Sequence, residues 1–280
     1  MTTETGAGPP RDFRSLRDLM ISQTVKLPKR LQQVADFAMH YPDEIAFGTV
    51  ASIAERANVQ PSTLVRFSQA IGYTGFSELQ DIFRDRLRDR HASYSDRLAG
   101  LRAKAGADNP TAMLLEGFSE AAVRSLDSLR ERLEFDQVAA AAHRLATAET
   151  IYLIAQRRSF PITAYMSYAL GQLGVKSVLI GSPVGTDAET LGFATARDAA
   201  VAISFTPYAA ATLTHVRQVA ARGVPVIAVT DSPFSPLVSA STLWLEVVEA
   251  DYQGFRSLSA TMALVMTLMV MVAEIRRSTQ

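Results

Sequence analysis

The stretch TVASIAERANVQPSTLVRFSQAIGYTGFSELQ, residues 49–80, reads as two short helices joined by a tight turn. Thr49 is a good N-cap, because its side-chain oxygen takes an orphan N–H of the first helical turn. The first helix runs to about Ala57, with Ile53, Ala54 and Ala57 as a small apolar face. Asn58 tolerates a left-handed conformation, and Val59 is an apolar plug in the turn. Pro61 opens the second helix, where its missing N–H costs nothing. Leu64, Phe67 and Ile71 then repeat at i, i+3 and i+7 and predict one buried stripe. Small Ala54 lets the helices approach closely. This is the spacing of a helix-turn-helix. Gln60, Ser62, Thr63, Val65, Arg66 and Gln69 are left on or near the outward face. Short hydroxyls, an arginine and amides are the side chains that reach base edges and phosphates in a major groove. The same pattern also fits an ordinary helical hairpin with a solvated face.

Working outward, charge adds nothing to a nucleic-acid reading. The chain has 28 Lys+Arg against 28 Asp+Glu, so DNA affinity has to come from local placement or from dimerisation. With no cysteine there are no disulfides, thiolate nucleophiles or thiolate metal sites. His40, His91, His143 and His215 show no ligand spacing, so neither metal nor cofactor is expected. The N-terminus lacks the pattern of a signal peptide, and a cytoplasmic location without a membrane is expected. The apolar run at Leu258–Ala273 is short for a span and reads as a buried or inter-subunit helix.

Before residue 49, helical patterns on either side of Pro28 predict two helices, the second ending at Tyr41-Pro42. Lys26, Lys29 and Arg30 near the second start are set to touch phosphates or to form a solvated helix end. Residues 76–90 form a further helix whose alternating charges, Arg84 to Arg90, suggest a self-paired face. A small, polar stretch at 91–110 reads as a linker. Thr111 and Asp136 are expected to cap the next two helices.

Beyond them the period changes. TIYLIA (150–155), KSVLI (176–180), AAVAIS (199–204), PVIAVT (225–230) and LWLEV (243–247) are near-continuous apolar runs, as strands buried on both faces require. Helices are expected between them at 161–173 and 209–221, and finally at 256–277. The fold class is therefore an all-α N-terminal helix-turn-helix domain (13–90), followed after the linker by a doubly wound α/β domain (111–280) with a five-stranded parallel sheet.

In such a sheet, ligands bind outside the C-terminal ends of the strands. Three loops stand there: Gln156, Arg157, Arg158 and Ser159 after the first strand; Ser204, Thr206 and Tyr208 after the third; Asp231, Ser232 and Ser235 after the fourth. Hydroxyls, backbone N–H groups and two guanidiniums suit an anionic, hydroxylated small molecule such as a sugar phosphate or sugar acid. Alternatively, Ser159, Thr206 and Ser235 only cap helices. No catalytic set emerges. Glu246, Glu249 and Asp251 are the candidate bases for a sugar-phosphate isomerase with a helical extension, and nothing marks any of them as a base.

The residues VASIAERANVQPSTLVRFSQAIGYTGFSEL (50–79) resemble the RpiR family of bacterial transcriptional regulators, above all in STLVRF and IGYTGFSEL. IYLIAQRRSF, ISFTPY and VTDSPFSPL stand where the sugar isomerase (SIS) domain, the family's usual partner domain, has its three ligand loops. The resemblance covers roughly residues 15–275. It implies a regulator, not an enzyme, that binds palindromic operator DNA as a dimer. It also implies a SIS domain that senses a phosphorylated sugar or related metabolite and mediates homodimers or homotetramers. The loops depart from the usual pattern. Ala155-Gln156-Arg157-Arg158-Ser159 replaces a Gly-Ser-Ser-like loop, and Ser204-Phe205-Thr206-Pro207-Tyr208-Ala209 replaces Ser-x-Ser-Gly-x-Thr. Arg157 and Arg158 are thus expected to grip an anion by side chain, or else to pack across a subunit interface in a domain that only oligomerises.

Overall fold

The computed structural model describes residues 9–22, 25–91, 98, 101, 109–181 and 184–279, and the chain divides into two units, Met1–Arg97 and Leu98–Gln280. The linker expected at 91–110 lies almost wholly outside the described residues.

In the N-terminal unit, α1 (Phe13–Ile21) starts at Asp12, whose carboxylate accepts the Ser15 N–H at 2.8 Å. Pro28 separates it from α2 (Lys29–His40), as the sequence predicts. Tyr41 does end α2, but Pro42 also begins an unexpected helix, α3 (Pro42–Phe47). Proline is preorganised for the first helical position, and Asp43 and Glu44 favour the positive end of the helix dipole. The pair α4 (Val50–Arg56) and α5 (Pro61–Ala70) follows, then α6 (Phe76–His91).

Leu16, Val34, Ile45, Ile53, Leu64, Phe67, Leu79 and Phe83 are the buried centre of this unit. The Gln80 amide donates to the carbonyls of Ile45 and Gly48, both at 2.8 Å, and so satisfies acceptors at and just beyond the end of α3. Of the α6 charges, Arg84 and Arg86 pair differently, and the side chains of residues 87–90 lie outside the described residues. Arg84 meets Asp81 one turn back, but Arg86 leaves its own helix to pair with Asp43 at 2.6 Å, with its guanidinium over the Phe13 ring.

The C-terminal unit opens with α7 (Pro110–Arg132) and α8 (Phe135–Ala146). Their caps differ from expectation. Asn109, not Thr111, accepts the Ala112 N–H, because Pro110 already holds the first helical position. Glu134 occupies the next N-cap without a side-chain bond, so Asp136 lies inside the helix.

The sheet contains β1 (Ile151–Ala155), β2 (Ser177–Ile180), β3 (Ala199–Ile203), β4 (Val226–Thr230) and β5 (Leu243–Glu246), all parallel, in the order β2-β1-β3-β4-β5. Alternate residues face opposite layers. Leu153, Val201, Ile203, Ile227, Val229 and Leu245 pack under α8, α9 (Phe160–Gln172) and the C-terminal helix α12 (Ser259–Thr279). Tyr152, Ile154, Ala200, Ala202, Val226 and Ala228 face α10 (Asp187–Leu191) and α11 (Ala210–Ala221). The helix α12 is long and apolar enough to cross a membrane, yet Leu264, Val265, Leu268, Met269 and Val272 lie in the sheet's core.

The helix expected from Arg256 begins three residues later. Residues 251–256 instead form an antiparallel hairpin, β6 (Asp251–Tyr252) and β7 (Phe255–Arg256). Gln253 and Gly254 both have positive φ, 53° and 81°, the backbone of a two-residue hairpin turn.

Candidate functional site

The helix-turn-helix is held by local chemistry. Thr49 and Ser52 form a reciprocal capping box at the start of α4. At its end, Asn58 adopts φ 52°. The Val59 N–H bonds the Ala54 carbonyl at 2.9 Å and the Asn58 N–H bonds Glu55 at 3.0 Å. This pair of bonds is a Schellman motif, with asparagine in the left-handed position and Val59 as its apolar residue. The turn sets the angle at which α5 leaves.

On α5, Leu64, Phe67 and Ser68 point inward, while Ser62, Val65, Arg66 and Gln69 are exposed and Thr63 is half-buried. Gln60 is exposed at the N-cap and makes no side-chain cap bond. Lys29 and Arg30 are exposed in the first turn of α2, which packs on α5. Arg30 donates to Gln33, and Gln33 in turn donates to the carbonyls of Ala57 and Asn58. The structure therefore links Arg30 to the helix-turn-helix turn through one amide.

In the second unit, α9 and α11 leave β1 and β3 toward opposite faces of the sheet, which opens a crevice at the strand-order switch. Arg158 spans it. Its Nη2 donates to the Thr206 carbonyl at 3.1 Å, and its guanidinium lies 5.8 Å from the Phe205 ring centroid. Across the next strand, the buried Asp231 carboxylate accepts the Thr206 N–H at 3.1 Å and the Tyr208 hydroxyl at 2.9 Å. Arg158, Thr206, Tyr208 and Asp231 thus meet.

The other expected residues have different places. Arg157 is exposed with φ 56°, and Gln156 is half-buried at the start of the Arg157–Ser159 turn. Ser159 is buried without a capping bond. Ser204, Ser232 and Ser235 accept N–H groups of their own loops, from Ala209, Phe234 and Leu237.

Sequence reasoning missed Arg256. The hairpin carries it back to the site, where its Nη1 also donates to the Thr206 carbonyl. The signal was present in Gln253-Gly254, a turn pair between aromatic residues.

Burial, and then the adjacent Asp231 charge, pushes the Tyr208 hydroxyl well above the ordinary tyrosine range. The folded state therefore holds this proton more tightly than the unfolded chain. The resulting stability is intact below the unfolded pKa of about 10 and is lost as pH rises beyond it. Tyr208→Phe is expected to flatten the alkaline fall in stability of the C-terminal unit. Urea melts above pH 10, followed by fluorescence of Trp244 on β5, measure this. An unchanged slope would contradict it.

Residues 16–89 match the rpiR-family helix-turn-helix domain and residues 144–273 match the SIS domain. The chain is an RpiR-type regulator with a SIS domain. Among solved structures it is similar to the Vibrio vulnificus NanR protein complexed with ManNAc-6P, at 21% identity over 94% of this chain and 93% of that one, with TM-score 0.57. The sugar isomerase domain of an RpiR transcription factor from Sphaerobacter thermophilus covers 59% of this regulator and 91% of its own chain at 20% identity, TM-score 0.55. The E. coli CFT073 protein c3406 matches over 61% of this chain and 94% of its own at 20% identity, TM-score 0.51.

Proposed function

We propose that this regulator is cytoplasmic, binds a palindromic operator as a homodimer or homotetramer, and senses an anionic sugar-derived metabolite, a sugar phosphate or sugar acid. The observation that carries the reading is the exposed polar face of α5, fixed by the Schellman turn, on a chain that also holds a SIS domain. Ser62, Thr63, Arg66, Gln69 and Gln60 are the base and phosphate contacts, with Lys29 and Arg30 on the flanking backbone. The ManNAc-6P held by the similar NanR structure supports the effector class. The effector acts by differential affinity for two arrangements of the DNA-binding domains within the oligomer.

Two of the three carboxylates that an isomerase would use as bases, Glu249 and Asp251, have other work. Glu249 Oε1 accepts the Thr261 N–H and hydroxyl, both at 2.8 Å, and caps α12. Asp251 accepts the Gly254 N–H in the hairpin turn. These bonds favour the regulator over the enzyme reading.

Arg66→Ala is expected to weaken binding of the full chain to its operator by about 1–3 kcal/mol, the worth of a bidentate base contact. Fluorescence anisotropy on upstream DNA measures it, with and without a panel of sugar phosphates and sugar acids. Unchanged affinity would remove Arg66 from the interface, and operator binding indifferent to the whole panel would remove the effector class.

A further inference from the structure

We propose that Arg256, together with Arg158, is the grip for the effector's oxyanion, and that Asp231 closes the Thr206 amide and the Tyr208 hydroxyl to it. The inference rests on the effector reading above and names the residues that would carry it.

Two observations converge. First, guanidiniums from two distant elements, the loop after β1 and the hairpin strand β7, donate to one oxygen, the Thr206 carbonyl. Nitrogens bonded to one oxygen are neighbours, so two positive charges stand side by side at the rim of the crevice. Arg256 is exposed and forms no ion pair among the described residues, and a guanidinium has five N–H donors. Two such forks match the oxygens of a carboxylate or a phosphate.

Second, the opposite side of the same loop is already taken. The Thr206 N–H and the Tyr208 hydroxyl both point to Asp231, a carboxylate of the chain itself. An incoming anion meets repulsion there and attraction at the arginines.

Arg256 is also held in place. Its hairpin lies against α7, with Phe118 5.4 Å from the Tyr252 ring and 6.1 Å from the Phe255 ring, centroid to centroid. The Ala250 N–H just before it donates to the buried Ser125 hydroxyl at 2.9 Å.

The test uses the full chain and simple probes: inorganic phosphate for a phosphorylated effector and acetate for a sugar acid, each against chloride at equal ionic strength. Melting of the C-terminal unit is followed by Trp244 fluorescence. A saturable rise in melting temperature with phosphate, acetate or both is expected in the wild type, and the active probe names the anion. The rise should vanish in Arg158→Ala and Arg256→Ala. It should persist in Arg197→Ala, an exposed arginine at the other end of the sheet. Arg256→Gln retains a donor for the Thr206 carbonyl without the charge, so the same loss there excludes simple collapse of the loop. A wild-type rise that survives in both arginine variants, or no saturable rise with either probe, overturns the grip. Operator binding by the same preparations separates the two levels. If it is intact while the grip fails, the regulator reading stands; if the wild type binds no operator, that reading fails whatever the arginines do.

Discussion

Phe67→Ala is expected to abolish operator binding by unfolding the N-terminal unit, at a cost of about 3–5 kcal/mol. Phe67 has 0% of its surface exposed and sits with Leu64 on the inner side of α5. Removing the ring deletes its transfer energy and leaves a cavity that the surrounding helices fill only in part. Domains of ordinary size hold only about 5–15 kcal/mol in total. The loss is thus a large share of what keeps a unit of this size folded. The single tryptophan, Trp244, lies in the C-terminal unit and reports on it alone. Two probes therefore separate the units. Far-UV circular dichroism should show part of the helix signal melting early, while the Trp244 transition stays at its wild-type temperature. Retained operator binding with a single unchanged transition would contradict the account.

How much of this was legible beforehand follows the range of each determinant. The helix-turn-helix was readable because its determinants are local. Thr49, Asn58 and Pro61 each act within a few residues, and each does in the structure what its chemistry dictates. The inner strands β1, β3 and β4 were readable because burial on both faces leaves an unbroken apolar run, whereas the edge strands β2 and β5 are only partly buried. The helix α3 was missed because Tyr41-Pro42 was read only as a stop, whereas proline both ends one helix and starts the next. The same oversight misplaced the cap at Thr111, one residue after a proline that already fixes Asn109 as the boundary.

The candidate effector site was legible as loops but not as contacts. Nothing local couples Arg158 to Thr206, 48 positions away, or Asp231 to Tyr208, 23 positions away. Those pairings depend on strand order, which puts β3 between β1 and β4. Arg256 was hidden more deeply. It follows the last strand of the sheet and precedes an apolar helix, and only the positive-φ turn at Gln253-Gly254 returns it to the loop after β3. The serines carry a local role that the sequence does not separate from a ligand role. Ser204, Ser232 and Ser235 stand in loops where hydroxyls suggest a ligand, and in the structure each accepts an N–H of its own loop, as short hydroxyl side chains readily do.

Asp231→Ala is expected to be the most damaging single change in that site. The carboxylate is 6% exposed and accepts from both the Thr206 N–H and the Tyr208 hydroxyl. Its removal orphans the Thr206 N–H, at about 1–3 kcal/mol for a buried donor, and takes the carboxylate acceptor from the Tyr208 hydroxyl. It also removes the negative charge facing a loop whose carbonyl holds two guanidiniums. Asparagine keeps the contacts without the charge: its Oδ1 accepts the Thr206 N–H, and its NH2 group donates to the Tyr208 hydroxyl, which accepts as well as donates. Asp231→Asn should therefore lose less stability than Asp231→Ala, and Asp231→Ala should regain part of its loss in formate, which restores a carboxylate without the chain. Urea denaturation followed at Trp244 tests all three. Asp231→Ala with wild-type stability would mean that the loop does not depend on its internal anion, and the case for a closed amide side would fall with it. Lowered stability with a recovery in formate that exceeds the wild type's own gain, and none in chloride, would show that an anion of carboxylate size is what the loop is built around.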